Sequence, residues 1–204
     1  MKIKICGLTS PKEAEYLNQN NVDFAGFVLF FPKSKRNLSI AQAKEIMAVL
    51  QTSIKKVAVV VSPTLEQIQE IEKAGFDYIQ IHGRLDETLL SQVTLPILKA
   101  FNIKDMDQYE TFRNYPQIAG YVFDAQEPGS GKTFDWNLVT NLPRDEKLFL
   151  LAGGLHPDNV ANAIAALSPD GVDVSSGVEF EDKPGKDPEK INRFVANVRA
   201  VADL

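Results

Sequence analysis

Eight short apolar runs, each followed by a stretch with helical periodicity, constrain this chain more than any other feature. The runs cover residues 3–6, 24–30, 56–61, 78–81, 97–101, 119–123, 148–152 and 172–174. They are apolar on both faces, the pattern of a parallel sheet covered on both sides. Helix starts are signposted. Ser10-Pro11 has Glu13 three residues after the cap, and Ser39 with Gln42 and Thr64 with Gln67 repeat the capping form. A last helix opens at Asp187-Pro188, and its Ile191, Phe194, Val195, Val198 and Val201 fall on one face. Helices at 107–113 and 135–139 carry the fewest such marks. Repeated βα units build either an open doubly wound sheet or a closed barrel. Eight units in 204 residues, about 25 each (204 divided by eight), favour the barrel. The expected fold is therefore α/β, a single-domain (β/α)8 TIM barrel over residues 1–204.

Composition narrows the partners. A net charge of -5 argues against a nucleic-acid or membrane surface. An anionic substrate must then be held by local donors. One cysteine, Cys6, excludes an intramolecular disulfide. The first seven residues carry no charged leader followed by an apolar stretch, and no apolar run approaches the roughly 20 residues needed to span a bilayer. A cytoplasmic protein is expected, as monomer or homodimer. No Gly-x-Gly-x-x-Gly follows the first run, which removes the usual dinucleotide fingerprint.

Barrels of this kind carry their chemistry at the C-terminal ends of the strands. The first strand ends in Cys6-Gly7. Position alone leaves Cys6 balanced between a small buried hydrophobe and a reactive group. A modest downward shift from a pKa near 8.5 would make it a base near neutral pH, with Gly7 letting a ligand approach. The second strand runs into Lys33-Ser34-Lys35-Arg36. Charge alone reads that loop as a solvated rim, yet Arg36 suits bidentate recognition of a carboxylate. His82 stands at the end of the fourth strand as a candidate substrate contact. Asp124 follows an apolar run at the end of the sixth, where an uncapped carboxylate is expensive unless it has a function. The Gly129-Ser130-Gly131-Lys132-Thr133 run lacks the full spacing of a nucleotide P-loop, because Gln126 stands where the first Gly belongs, and reads as a lid or rim loop. Gly153-Gly154 and Ser175-Ser176-Gly177 follow the seventh and eighth strands. Small residues there form an anion cradle of backbone N–H groups.

Taken together, Lys4-Ile5-Cys6-Gly7-Leu8-Thr9, Pro32-Lys33-Ser34-Lys35-Arg36, Gln80-Ile81-His82-Gly83, Phe123-Asp124-Ala125, Gly129 to Trp136, Ala152-Gly153-Gly154-Leu155 and Gly171 to Glu179 resemble the phosphoribosylanthranilate isomerase family in order and spacing along the whole chain. The resemblance implies an Amadori rearrangement in tryptophan biosynthesis, with a phosphorylated small molecule as substrate and no metal or other cofactor. It implies Asp124 as general acid, Cys6 as general base, Arg36 on the anthranilate carboxylate, and backbone groups around Gly154, Ser176 and Gly177 on the phosphate. Two positions depart from the family pattern: Lys35 stands where Pro is frequent, and His156 where Asn is common. A histidine-pathway isomerase with the same chemistry would use two aspartates and a substrate with two phosphates, which Cys6 and the single evident cradle argue against. A non-catalytic phosphometabolite-binding barrel is disfavoured by the presence of both Cys6 and Asp124.

Strand parity adds one expectation. Side chains alternate, so an inward Cys6 places Lys4 on the same inner face. A buried lysine needs an anion. The eighth strand lies beside the first in a closed barrel and carries Asp173, so Lys4 and Asp173 are expected to pair beneath the thiol, with Lys4 favouring the thiolate.

Overall fold

The structure is a computed structural model and describes residues 1–102, 107–124 and 142–202. Eight parallel strands form the barrel: β1 (Lys2–Cys6), β2 (Phe24–Leu29), β3 (Lys55–Val61), β4 (Tyr78–His82), β5 (Ile97–Asn102), β6 (Ile118–Asp124), β7 (Leu148–Leu151) and β8 (Gly171–Val174). Each pairs with its sequence neighbours, and β8 returns to β1, closing the sheet. A ninth, two-residue strand, Asn37–Leu38, pairs with the end of β2 and was not foreseen. It is too short to carry a period of its own.

Around the barrel lie α1 (Pro11–Asn20), α2 (Ile40–Met47), α3 (Leu65–Ala74), α4 (Glu87–Leu90), α5 (Tyr109–Arg113), α6 (Val160–Leu167) and α7 (Pro188–Ala202). The capping boxes form as expected: Gln42 N–H donates to Ser39 Oγ at 3.2 Å and Gln67 N–H to Thr64 Oγ1 at 3.3 Å. Helix α6 starts at Val160. Asn159 takes the His156 N–H at 2.8 Å and donates to Gly154 O at 2.9 Å, so its side chain braces the loop ahead of the helix. The helix expected at 135–139 and the loop at 129–133 lie outside the described residues.

The N-terminal rim carries a repeated clasp. Asp23, Asp77 and Asp170 each stand just before an even-numbered strand. Their carboxylates accept the N–H of Ile3, Lys56 and Phe149 on the preceding strand, at 2.9, 2.8 and 2.8 Å. Each Asp N–H donates back to the carbonyl of the same residue. These clasps pin strand register at the face away from the site.

Strand parity divides the side chains into two cores. Outward residues such as Ile3, Ile5, Val172 and Val174 join the helices in the larger one. Phe24, Val57, Val59, Leu98, Ala100, Val122, Leu150 and Ala152 fill the barrel interior, with Phe24 edge-on to Tyr78 at 5.6 Å. The inner face of β1 instead presents Lys4 and Cys6, and β8 presents Asp173.

Candidate active site

Lys4 and Asp173 face each other across the β1–β8 pairing as paired register partners. Lys4 Nζ lies 2.8 Å from Asp173 Oδ2, with the lysine fully buried and the aspartate 6% exposed. The inward couple expected from parity is therefore present. Lys4 also lies against the Cys6 thiol. Gly26, the register partner of Cys6 on β2, makes room for both: a Cβ there would stand 2.8 Å from Cys6 Sγ and 3.2 Å from Lys4 Nζ.

The charges act on one another. Burial pushes the Cys6 thiol up, Lys4 pulls it down, and burial prevails. The expected net depression of the thiol is thus corrected, although Lys4 acts in the expected direction. Lys4 itself is raised: burial opposes its charge, but Asp173 and the thiol outweigh burial.

One cavity of about 700 Å³ opens at the C-terminal ends of the strands. Cys6, Arg36, His82, Asp124, Gly153, Gly154, Ser175 and Ser176 all line it, so the fold brings these sequence candidates together. Asp124 is the last residue of β6, in register with Asn102 on β5. His82 is the last residue of β4. Burial and the nearby Lys99 and Lys4 ammoniums lower its pKa to about 3, so its imidazole is neutral. Gln80 Nε2 donates to His82 Nε2 at 2.9 Å, which leaves the ring hydrogen on Nδ1.

Arg36 is positioned by a residue the sequence reading did not single out. Its Nε donates to Glu179 Oε1 at 2.5 Å, and Lys35 and Lys186 reach the same carboxylate at 2.7 and 3.2 Å. Burial alone would raise Glu179, but Arg36, Lys186 and Lys35 hold it down at about 2. Lys186 is fully enclosed and also donates to Ser175 O at 3.1 Å. Gly7, with φ of 76°, leaves space for Arg36: a Cβ would meet Arg36 Cδ at 2.4 Å. Lys35, the first departure from the family pattern, is thus part of this network.

The cradle is partly redistributed. Gly153 and Gly154 have φ of 84° and 66°, a left-handed turn that favours glycine. The N–H groups of Gly153, Gly154, Ser176 and Gly177 have no acceptor among the described residues. Ser175 Oγ donates to the Cys6 carbonyl at 3.0 Å, tying the end of β8 to the end of β1. Gly177 does not line the cavity through its own position; it is where the two cradle loops touch. A Cβ there would lie 1.9 Å from the Leu155 carbonyl oxygen. Gly177→Ala should push the loops apart. We expect about 1–3 kcal/mol of lost stability and about a tenfold or greater weakening of inorganic phosphate as competitive inhibitor, the equivalent of one hydrogen bond to a charged group. Unchanged phosphate inhibition would show that the loop contact does not shape the cradle. His156, the second departure, turns away from the cavity: its Nδ1 accepts the Asp158 N–H at 3.3 Å.

The model of the N-(5'-phosphoribosyl)anthranilate isomerase family matches residues 3–197. The chain belongs to that family. The N-(5'-phosphoribosyl)anthranilate isomerase of Streptococcus gordonii is 40% identical over 200 residues, covering 97% of each chain. The crystal structure of TrpF from Jonesia denitrificans has 34% identity and a TM-score of 0.82, covering 99% of this chain and 98% of its own. A phosphoribosylanthranilate isomerase in complex with reduced 1-(o-carboxyphenylamino)-1-deoxyribulose 5-phosphate has 32% identity and a TM-score of 0.83, covering 98% and 99%. Membership makes this chain an isomerase of tryptophan biosynthesis. Among the described residues no helix is long and apolar enough to cross a membrane.

Proposed function

We propose that this isomerase converts N-(5'-phosphoribosyl)anthranilate to 1-(2-carboxyphenylamino)-1-deoxyribulose 5-phosphate with Asp124 as acid and Cys6 as base. The observation that carries the reading is that Asp124, Cys6, Arg36 and the cradle loops all open onto one cavity. Asp124 protonates the ring oxygen and opens the furanose. Cys6 then removes the C2′ proton from the iminium, and the enolamine tautomerises to the ketose. One aromatic carboxylate and one phosphate are bound at separate places. The neutral His82 offers a hydrogen-bonding contact without adding charge. The working enzyme is placed in the cytoplasm, as monomer or homodimer. Turnover of phosphoribosylanthranilate by the purified chain tests the reading, and its absence would overturn it.

The Glu179 contact supports Arg36 as the carboxylate clamp. With Nε on Glu179, the two Nη groups have no carboxylate partner among the described residues and can donate to a bidentate anion. Arg36→Lys removes the planar fork. We expect KM to rise about 10- to 100-fold, as for a lost hydrogen bond to a charged group, with a smaller change in kcat. A substrate analogue lacking the anthranilate carboxylate should bind wild type and variant alike. An equal penalty on that analogue would remove Arg36 from the clamp.

A further inference from the structure

Three buried acceptor oxygens on the cavity wall have no hydrogen-bond partner among the described residues: Asp173 Oδ1, Gln80 Oε1 and Asn102 Oδ1. A buried acceptor left unpaired is costly, and native structures seldom keep one without a reason. All three would be relieved by a ligand rich in hydroxyl donors, which describes the sugar of the proposed substrate. Asp173 stands out among them because it is charged and because of its neighbours. Its Oδ2 is held by Lys4 at 2.8 Å, and Lys4 lies against the Cys6 thiol. The lysine thus holds the carboxylate by Oδ2, with Oδ1 left unpaired among the described residues.

We infer that Asp173 is a further substrate-binding residue, whose Oδ1 accepts a hydrogen bond from the sugar hydroxyl on the carbon that Cys6 deprotonates. This rests on the reading of Cys6 as the base. The chemistry of the step favours such a contact. That hydroxyl is a donor in the substrate, the iminium and the enolamine, and gives up its hydrogen only when the enolamine tautomerises to the ketone. A carboxylate gripping it holds the adjacent C–H toward the thiol, which is the orientation proton transfer requires. Ionised acceptors make stronger bonds than neutral ones, and Lys4, bound to Oδ2, does not compete for Oδ1.

Two inhibitors separate the possibilities: the reduced ketose product, which carries a hydroxyl at C2′, and its 2′-deoxy counterpart. Wild type should prefer the hydroxyl-bearing compound about 10- to 100-fold, the range for a hydrogen bond to a charged group. In Asp173→Asn the acceptor loses its charge, and the preference should largely vanish. Lys4→Met/Asp173→Leu, which leaves no unpaired charge inside the barrel, should abolish the preference too. Inhibition by inorganic phosphate should be unchanged in both variants, showing an intact cradle. A wild type with no preference, or either variant retaining it, would overturn the inference. Preference in wild type without turnover of phosphoribosylanthranilate would instead overturn the proposed function and leave the Asp173 contact standing.

Discussion

Cys6→Ala is expected to lower kcat by about 10²–10⁴-fold or more while the reduced product still binds. The thiol lies on the inner face of β1 with Lys4 beneath it, and no other group on that strand can take the C2′ proton. The pH dependence carries the sign of its environment. A base works only when unprotonated, and burial holds this thiol above its ordinary value near 8.5. The base-limited limb of kcat/KM in wild type should therefore keep rising with pH beyond that value. It should not level off near neutrality. Pre-steady-state turnover across pH measures both effects. Near-normal turnover by the alanine variant would remove Cys6 from the mechanism, and a limb that plateaus near pH 7 would mean that Lys4 outweighs burial in the free enzyme.

Asp124→Asn is expected to have an effect of similar size, about 10²–10⁴-fold in kcat, by a different route. The amide preserves the shape of the side chain at the end of β6 and cannot deliver a proton to the ring oxygen. Ring opening then becomes the slow step, so loss of kcat should come with little change in affinity for the reduced, already opened product. The diagnostic arm is an open-chain iminium or imine analogue, whose enolisation should survive in Asp124→Asn and fail in Cys6→Ala. Equal loss on both substrates in both variants would show that the two residues do not divide the acid and base roles.

The strands were legible because period and location agree. Every apolar run became a strand within a residue or two, since a sheet covered on both faces leaves no room for polar side chains except where function requires them. Lys4 and Asp173 were legible for the same reason, being charges in runs that are otherwise apolar. Glu179 and Lys186 were not. Glu179 meets Arg36 across 143 residues of chain, and Lys186 lies in a loop without periodicity, so nothing local marks either as a partner. The closeness of the Arg36 side chain to Gly7 was not legible, because a glycine records only that something comes close. Ser175 and Gly177 meet Cys6 and Leu155, which only the closed fold brings near.

The bonds from Lys4 to Asp173 and from Ser175 to the Cys6 carbonyl each join residues 169 positions apart. They sit on the seam where the first strand meets the last. The rim clasps, by contrast, link residues only 20 or 21 apart, so they can form within single βα units while the seam must await the most distant encounter in the chain. Lys4, beside the proposed base, acquires its aspartate, and Arg36, the proposed clamp, its glutamate, only in that final encounter. Appearance of activity during refolding is therefore a direct report of ring closure, not of the secondary structure that precedes it.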